Sequence, residues 1–149
     1  MRAVAQRVAR ARIAVEGETV GEMGRGLLAL VGVAPAATPA AAAELAAKLV
    51  HLRVFEDDDG KMNVSLLEVG GTLGVVSQFT LYGDARRGRR PSFVEAAPPE
   101  QAEPLVGALV EAARALGVPV VGGRFRARME VELVNAGPVT LLLDTERQF

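Results

Sequence analysis

The sequence predicts an α/β domain in three layers, two of sheet with helices on one side, and three observations predict it. Two uncharged apolar runs of strand length, 26–33 (GLLALVGV) and 73–81 (LGVVSQFTL), read as strands buried on both faces. Two longer segments, 38–52 and 98–117, each carry one apolar stripe at helical spacing. The order, three strands, a helix, strands, a second helix and further strands, suits a mixed sheet, and a three-layer arrangement would bury both runs.

Length and composition bound the rest. At 149 residues the chain reads as one domain, 1–149, able to bury roughly 70% of its unfolded surface. Half of the residues are hydrophobic, with alanine supplying much of that share, and the formal net charge is −1. A chain this close to neutral is no polycation, so contact with nucleic acid must come from a local patch. Lys48 and Lys61 are the only lysines among 17 basic residues, which leaves 15 arginines. Phosphate recognition and coding bias both account for that ratio. The absence of cysteine removes disulfides, thiolate zinc sites and cysteine nucleophiles. No apolar run approaches ~18–20 residues and no hydrophobic signal region stands at the N-terminus, so the expectation is a soluble cytoplasmic protein with no membrane partner.

Residues 2–15 alternate Val4, Val8, Ile13 and Val15 with polar Gln6, Arg7, Arg10 and Arg12, a half-buried strand that turns at Glu16-Gly17-Glu18. Arg7 reads equally as a solvated side chain or as something more. A short strand over 19–23 precedes the first apolar run. Thr38 and Pro39 open a helix with a hydroxyl cap and a proline at the first helical position, and Leu45, Leu49 and Leu52 form its stripe. His51, the one histidine, falls off that stripe and reads as solvated, which leaves no Ser-His-Asp system. Asp57-Asp58-Asp59-Gly60 fails the spacing of a calcium loop and reads as a turn, so no metal is expected. Lys61-Met62-Asn63-Val64-Ser65 and 66–69 follow, then a Gly70-Gly71 turn into the second apolar run.

That run contains Ser77, Gln78 and Thr80 where a plain core strand would carry valine. Buried without partners, each would cost on the order of 1–3 kcal/mol, so they find partners or face a cleft. The chain then enters a loop with Arg86, Arg87, Arg89 and Arg90 around Gly88, the composition of an anion site. The second helix, 98–117, has prolines at its start, a Leu105, Leu109, Ala112 and Leu116 stripe, and Gly117 at its end. Two strands close the chain, 125–134 with Phe125, Ala127, Met129, Val131 and Leu133 on one face, and 139–143. The composition of Asn135-Ala136-Gly137-Pro138 predicts a tight turn between them.

The usual nucleophile–base pairs are missing. Thr80 and Ser77 have no base nearby in sequence, and Glu130 and Glu132 read as the outer face of a strand. What remains is backbone: amides and carbonyls of 77–81 and of the Gly137-Pro138 turn can stabilise an oxyanion or position a water. The residues support equally an enzyme that relies on main-chain groups and a binding pocket with no chemistry.

Several separate motifs in register carry a resemblance to one family. Ser77-Gln78-Phe79-Thr80-Leu81, Asn135-x-Gly137-Pro138-Val139-Thr140 and Lys61-Met62-Asn63-x-Ser65 together resemble the D-aminoacyl-tRNA deacylases, as do Met1-Arg2-Ala3-Val4, Gln6-Arg7-Val8 and Arg89-Arg90-Pro91-Ser92-Phe93. The resemblance runs from Met1 to about Asp144. It implies a homodimer, a three-layer ββα sandwich with mixed sheets and two main helices, no cofactor, and hydrolysis of the ester that joins a D-amino acid or glycine to the terminal ribose of tRNA.

The resemblance also implies roles. Gly137 and Pro138 would be joined by a cis bond and reach into the partner protomer's site, where their carbonyls exclude L-aminoacyl groups. Ser77, Gln78, Phe79 and Thr80 would line that catalytic pocket. Arg7 would brace the turn, with Met62, Asn63, Ser65 and Asn135 in support. Arg86, Arg87, Arg89, Arg90 and Phe125 would contact the aminoacylated 3′ end of tRNA. The catalytic hydroxyl would be the 2′-OH of the tRNA itself, with a nucleophilic Thr80 as the older reading. Two departures stand out: Ala136 occupies a position where the family often has aspartate, and 124–128 is unusually basic. The competing readings are a non-catalytic module that binds RNA 3′ ends, and an esterase of other substrates with Thr80 or Ser77 as nucleophile.

Overall fold

The sheet is built outward from its first strand. In a computed structural model that describes residues 1–149, β1 (Arg2–Val15) buries alternate residues Ala3, Ala5, Val8, Ala11 and Ile13 with local shifts of phase. β3 (Gly26–Gly32) pairs antiparallel with the first half of β1, from Arg2↔Gly32 to Val8↔Gly26. β2 (Glu18–Met23) pairs with the second half. The whole opposite edge of β1 is taken by β8 (Met129–Asp144), from Arg2↔Asp144 to Val15↔Met129. β6 (Thr72–Ser77) lies parallel beside β3, and β7 (Val120–Gly122) parallel beside β6, so the sheet is mixed as the element order predicts.

The sheet curls. A Cβ placed on Gly21 of β2 would lie 2.6 Å from the Gly122 carbonyl oxygen of β7, so the two margins nearly meet. Inside the curl sit Val8, Ala11, Ile13, Met23, Leu28 and Val76. On the outer face α1 (Pro39–His51) and α3 (Pro99–Ala115) pack Leu45, Leu49 and Leu109 against Ala5, Leu27 and Leu73. Each fully buried leucine contributes about 1.5–3 kcal/mol relative to exposure. The helices and the two sides of the curled sheet are consistent with the three layers expected. No helix is long and apolar enough to cross a membrane.

Local signals in the first helix are met: Thr38 Oγ1 accepts from the Ala41 amide at 3.3 Å, and His51 is exposed. The Asp57–Gly60 turn joins a hairpin of β4 (Arg53–Glu56) and β5 (Met62–Ser65). Asp57 holds it by accepting from the Asp59 and Lys61 amides, bonds that keep its carboxyl below the usual range. One helical turn, α2 (Leu66–Val69), follows, capped reciprocally by Ser65 and Glu68.

Three expectations need correction. The strand predicted over 73–81 ends at Ser77, because its partner β3 ends at Gly32 and the Gln78 amide makes the last bond to it, 2.7 Å from the Val31 oxygen. Phe79–Tyr82 instead forms a 3-10 turn closed by Leu81 N–H to Gln78 and Gly83 N–H to Thr80. The strand predicted over 125–134 begins only at Met129, which pairs with Val15, the last residue of β1, so 125–128 have no partner. Residues 135–138 do not reverse the chain. Gln6 pairs with Thr140 and Val8 with Asn135, so the four residues 136–139 stand opposite Arg7 alone and loop out of a ladder that continues on both sides. The short strands β4 and β7 carry too few residues to show a period and were not predicted.

Candidate active site

The end of β6 and the 3-10 turn open into a cavity of about 570 Å³, lined by Ser77, Gln78 and Phe79 on one side and Phe125, Ala127 and Met129 on the other. The start of α3, Pro99 and Ala102, closes its floor with Ala96 and Ala97. Ser77 and Gln78 are half-buried, and Phe79 is 55% exposed with its ring edge-to-face on Phe93 at 5.2 Å. Gln78 Nε2 donates to Thr80 Oγ1 at 2.6 Å, and Thr80 is exposed. No histidine, lysine or carboxylate lines this cavity, and Arg126 is its only charged residue. The wall is apolar side chain and backbone, so its chemistry is that of amides and carbonyls plus whatever the ligand brings.

The 3-10 turn is fixed from behind. Arg2 donates to the Leu81 carbonyl at 3.5 Å, lies over the Tyr82 ring at 4.5 Å, and pairs with the fully buried carboxylate of Asp144 at 3.2 Å. Tyr82 is buried with no partner for its hydroxyl, and that burial pushes its pKa up to about 12.

Gly137 and Pro138 lie elsewhere. They are exposed, their peptide bond is cis, and Gly137 lines a different cavity of about 490 Å³ together with Arg7, Arg25, Phe55 and Glu56. The two cavities share no residue. Asn135 clasps the loop by accepting from the Val139 amide at 2.8 Å and donating to the Val139 carbonyl at 3.2 Å and Thr140 Oγ1 at 3.1 Å. Arg7 is half-buried, not solvated: Nε donates to the Ala136 carbonyl at 2.7 Å and Nη1 to the Val54 carbonyl at 2.6 Å. The Ala136 side chain takes no part in these bonds; its carbonyl does.

Met62, Asn63 and Ser65 stand on β5, beside the strand whose Val54 carbonyl Arg7 holds, and none of them lines the Ser77 cavity. Met62 is 57% exposed, Asn63 Nδ2 donates to Asp57 Oδ2 at 3.3 Å, and Ser65 is spent on capping α2.

The arginine loop is a small hairpin closed by reciprocal bonds between Asp84 and Ser92. Arg86 does not project freely: Nε and Nη2 both donate to Asp84 at 2.8 Å, and these bonds hold the Asp84 carboxyl well below the usual carboxylate range. Arg87, Arg89 and Arg90 remain exposed and without an acidic partner. Sequence reasoning missed the Asp84 latch, whose only signal is an Asp-x-Arg spacing. It also missed Phe93, Ala96, Pro99 and Ala102, which reach the cavity only because α3 starts there.

Comparison with known proteins gives the chain its family and matches its fold. The sequence model of a family described as "D-Tyr-tRNA(Tyr) deacylase" matches residues 4–144. A D-aminoacyl-tRNA deacylase of Symbiobacterium thermophilum is 60% identical over 149 residues, spanning 100% of this chain and 99% of its own length. One from Thermomicrobium roseum is 58% identical over 145 residues, 97% of this chain and 94% of its own. Among solved structures, a "c-Myc DNA Unwinding Element Binding Protein" superposes with a TM-score of 0.92 at 38% identity, covering 97% of this chain and 99% of that one. A "probable eukaryotic D-amino acid tRNA deacylase" superposes with a TM-score of 0.81 at 18% identity over 95% and 97%, a likeness of fold. With a family match over nearly its whole length and relatives this similar, the chain belongs to the D-Tyr-tRNA(Tyr) deacylase family.

Proposed function

We propose that the protein hydrolyses the ester of D-aminoacyl-tRNA, releasing the free D-amino acid and tRNA, in a homodimer whose protomers complete each other's sites. The observation that carries the reading is the separation within one chain between the cavity at Ser77–Phe79 and the exposed Gly137-Pro138 loop. A loop stiffened by Arg7 and Asn135, exposed and outside the lining of its own pocket, makes sense as an element presented to a second copy. β8, which carries it, also exposes Leu142 (61%) and Val134, apolar side chains suited to an interface.

In this mechanism the aminoacyl group enters between the Ser77–Phe79 edge and the partner's loop. Main-chain oxygens of the partner's loop occupy the space an L side chain would need, so only a D side chain or the hydrogen of glycine fits. Backbone amides of the 3-10 turn stabilise the developing oxyanion, and the 2′-OH of the terminal adenosine supplies the hydroxyl chemistry that the cavity lacks. Glycyl-tRNA is therefore a second substrate. Arg87, Arg89 and Arg90 hold the phosphates of the acceptor end, and Arg86 shapes their loop through Asp84.

The test places D-tyrosyl-tRNA and L-tyrosyl-tRNA side by side, with sedimentation at the assay concentration. Release of D-tyrosine alone, by a dimer, is the expected result. Binding without release leaves an RNA-end module, and full activity by a monomer removes the cross-protomer site.

A further inference from the structure

The loop between β7 and β8 carries three arginines, Arg124, Arg126 and Arg128, and none of them makes a hydrogen bond or an ion pair through its side chain. They alternate with half-buried Phe125 and Ala127, which line the cavity together with Arg126, while Arg124 and Arg128 are exposed on either side of that segment. The backbone is bent to allow this: the Ala127 amide bonds the Arg124 carbonyl at 3.1 Å, and Arg126 sits at φ +62°. That left-handed position favours glycine or asparagine, and an arginine adopts it at a cost. Three exposed cations without an acidic partner, close together in the chain, make a positive patch open to an anion.

We infer that Arg124, Arg126 and Arg128 form a second phosphate-binding rim, which holds the single-stranded 3′ end of the RNA on the side of the cavity away from the Arg87–Arg90 loop. The inference rests on the deacylase reading for its substrate. The occupant follows from charge and position: an ester seated in a cavity with no charge in its depth must be led there by a polyanionic strand crossing the rim. Arg124 also borders a neighbouring cavity of about 450 Å³ lined by Glu103, Glu111 and Arg114, where Arg114 pairs with Glu111 at 2.8 Å.

The experiment compares the wild type with Arg124→Gln/Arg126→Gln/Arg128→Gln on D-tyrosyl-tRNA and on D-tyrosyl-adenosine, an ester without phosphates. The triple variant should raise KM for the tRNA about tenfold with kcat unchanged, and reduce the log–log salt slope of tRNA binding by about 2, near 0.7 per lost contact to a single strand. Hydrolysis of D-tyrosyl-adenosine should fall far less than hydrolysis of the tRNA ester, and Arg124→Gln/Arg128→Gln, which leaves the cavity lining intact, should not change it. Arg126→Gly supplies a second reading, since it suits the backbone and removes the cation: its melting temperature should be equal or higher while KM for tRNA rises two- to threefold. An unchanged salt slope, or an equal loss on the phosphate-free ester, overturns the inference. So does displacement of tRNA by poly-glutamate at equal charge, which would make the rim a general polyanion surface. A wild type that cleaves neither ester sinks the deacylase reading instead, and the salt slope of tRNA binding then still decides on the rim.

Discussion

Arg7 ties the carbonyl of Ala136 to the carbonyl of Val54, so one guanidinium joins the Gly137-Pro138 loop to the β4–β5 hairpin. A planar fork with fixed donors can reach two carbonyls at 2.7 and 2.6 Å at once, and a lysine ammonium cannot match that geometry. Arg7→Met should cost about 2–4 kcal/mol in urea unfolding, from two charge-assisted bonds lost. Arg7→Lys should recover less than half of the loss, and deacylation should fall in the same order.

Gly137→Ala should be worse for activity than for folding. The residue has φ +148°, and a Cβ there would lie 2.8 Å from Val139 Cγ2, 2.9 Å from the Val139 amide and 3.0 Å from Arg7 Nη2. The backbone strain and crowding should cost about 1–3 kcal/mol. Reshaping the loop should lower D-tyrosyl-tRNA turnover by about a hundredfold or more, while circular dichroism stays that of the wild type. Retained activity would mean that the loop does not shape the site.

Thr80→Ala should keep D-tyrosyl-tRNA hydrolysis within about tenfold, because Thr80 is exposed, accepts its one bond from Gln78 Nε2, and has no base beside it to make it a nucleophile. A tRNA ending in 2′-deoxyadenosine should lose about 10²–10⁴ in rate, the usual worth of a positioned acid–base group. Full turnover of the deoxy substrate together with an inactive Thr80→Ala would restore the side-chain nucleophile.

Tyr82 is the one tyrosine, and there is no tryptophan, so its ionisation can be followed directly by phenolate absorbance. Burial raises its pKa from 10.0 to about 12 in the folded state. A raised folded-state pKa gives stability that is complete below the unfolded value near 10 and is lost as pH rises through about 12. Two units correspond to about 2–3 kcal/mol at most. Melting temperature should therefore fall between pH 10 and 12 in the wild type and much less in Tyr82→Phe. At neutral pH Tyr82→Phe should be neutral or slightly stabilising, because it removes a buried hydroxyl with no partner.

The parts of the fold legible in the sequence were those with a full period or a strong local chemistry. The Thr38-Pro39 cap, the Leu45 and Leu49 stripe and the run of β3 announce themselves, since burial and capping act within a few residues. Where the sequence misled, the deciding partner was remote. The apolar pattern of 73–81 continues past Ser77, but Gly32, some 45 residues earlier in the chain, ends the strand it would pair with. Asn135-Ala136-Gly137-Pro138 has turn composition and bends sharply, yet β1 catches the chain again at Thr140, so the bend becomes a loop within a strand. At the site, the polar residues of 77–80 and the arginine loop were visible as departures from a core strand. The pairing of Arg86 with Asp84, and the distance of Gly137 from Ser77, depend on tertiary geometry that no spacing along the chain encodes.

The pairing of β1 with β8 along its whole length sets when the protein can fold. Arg2 lies opposite Asp144, and the Met1 ammonium donates to Thr145 Oγ1 at 2.6 Å. During synthesis the first strand leaves the ribosome more than a hundred residues before its neighbour, so one full edge of it waits with unpaired amides and carbonyls. Contacts of such sequence separation are slow to close, and an open edge invites pairing with other chains. Nascent chains halted before Met129 should remain sensitive to protease, and protection should arise sharply once Asp144 has cleared the exit tunnel.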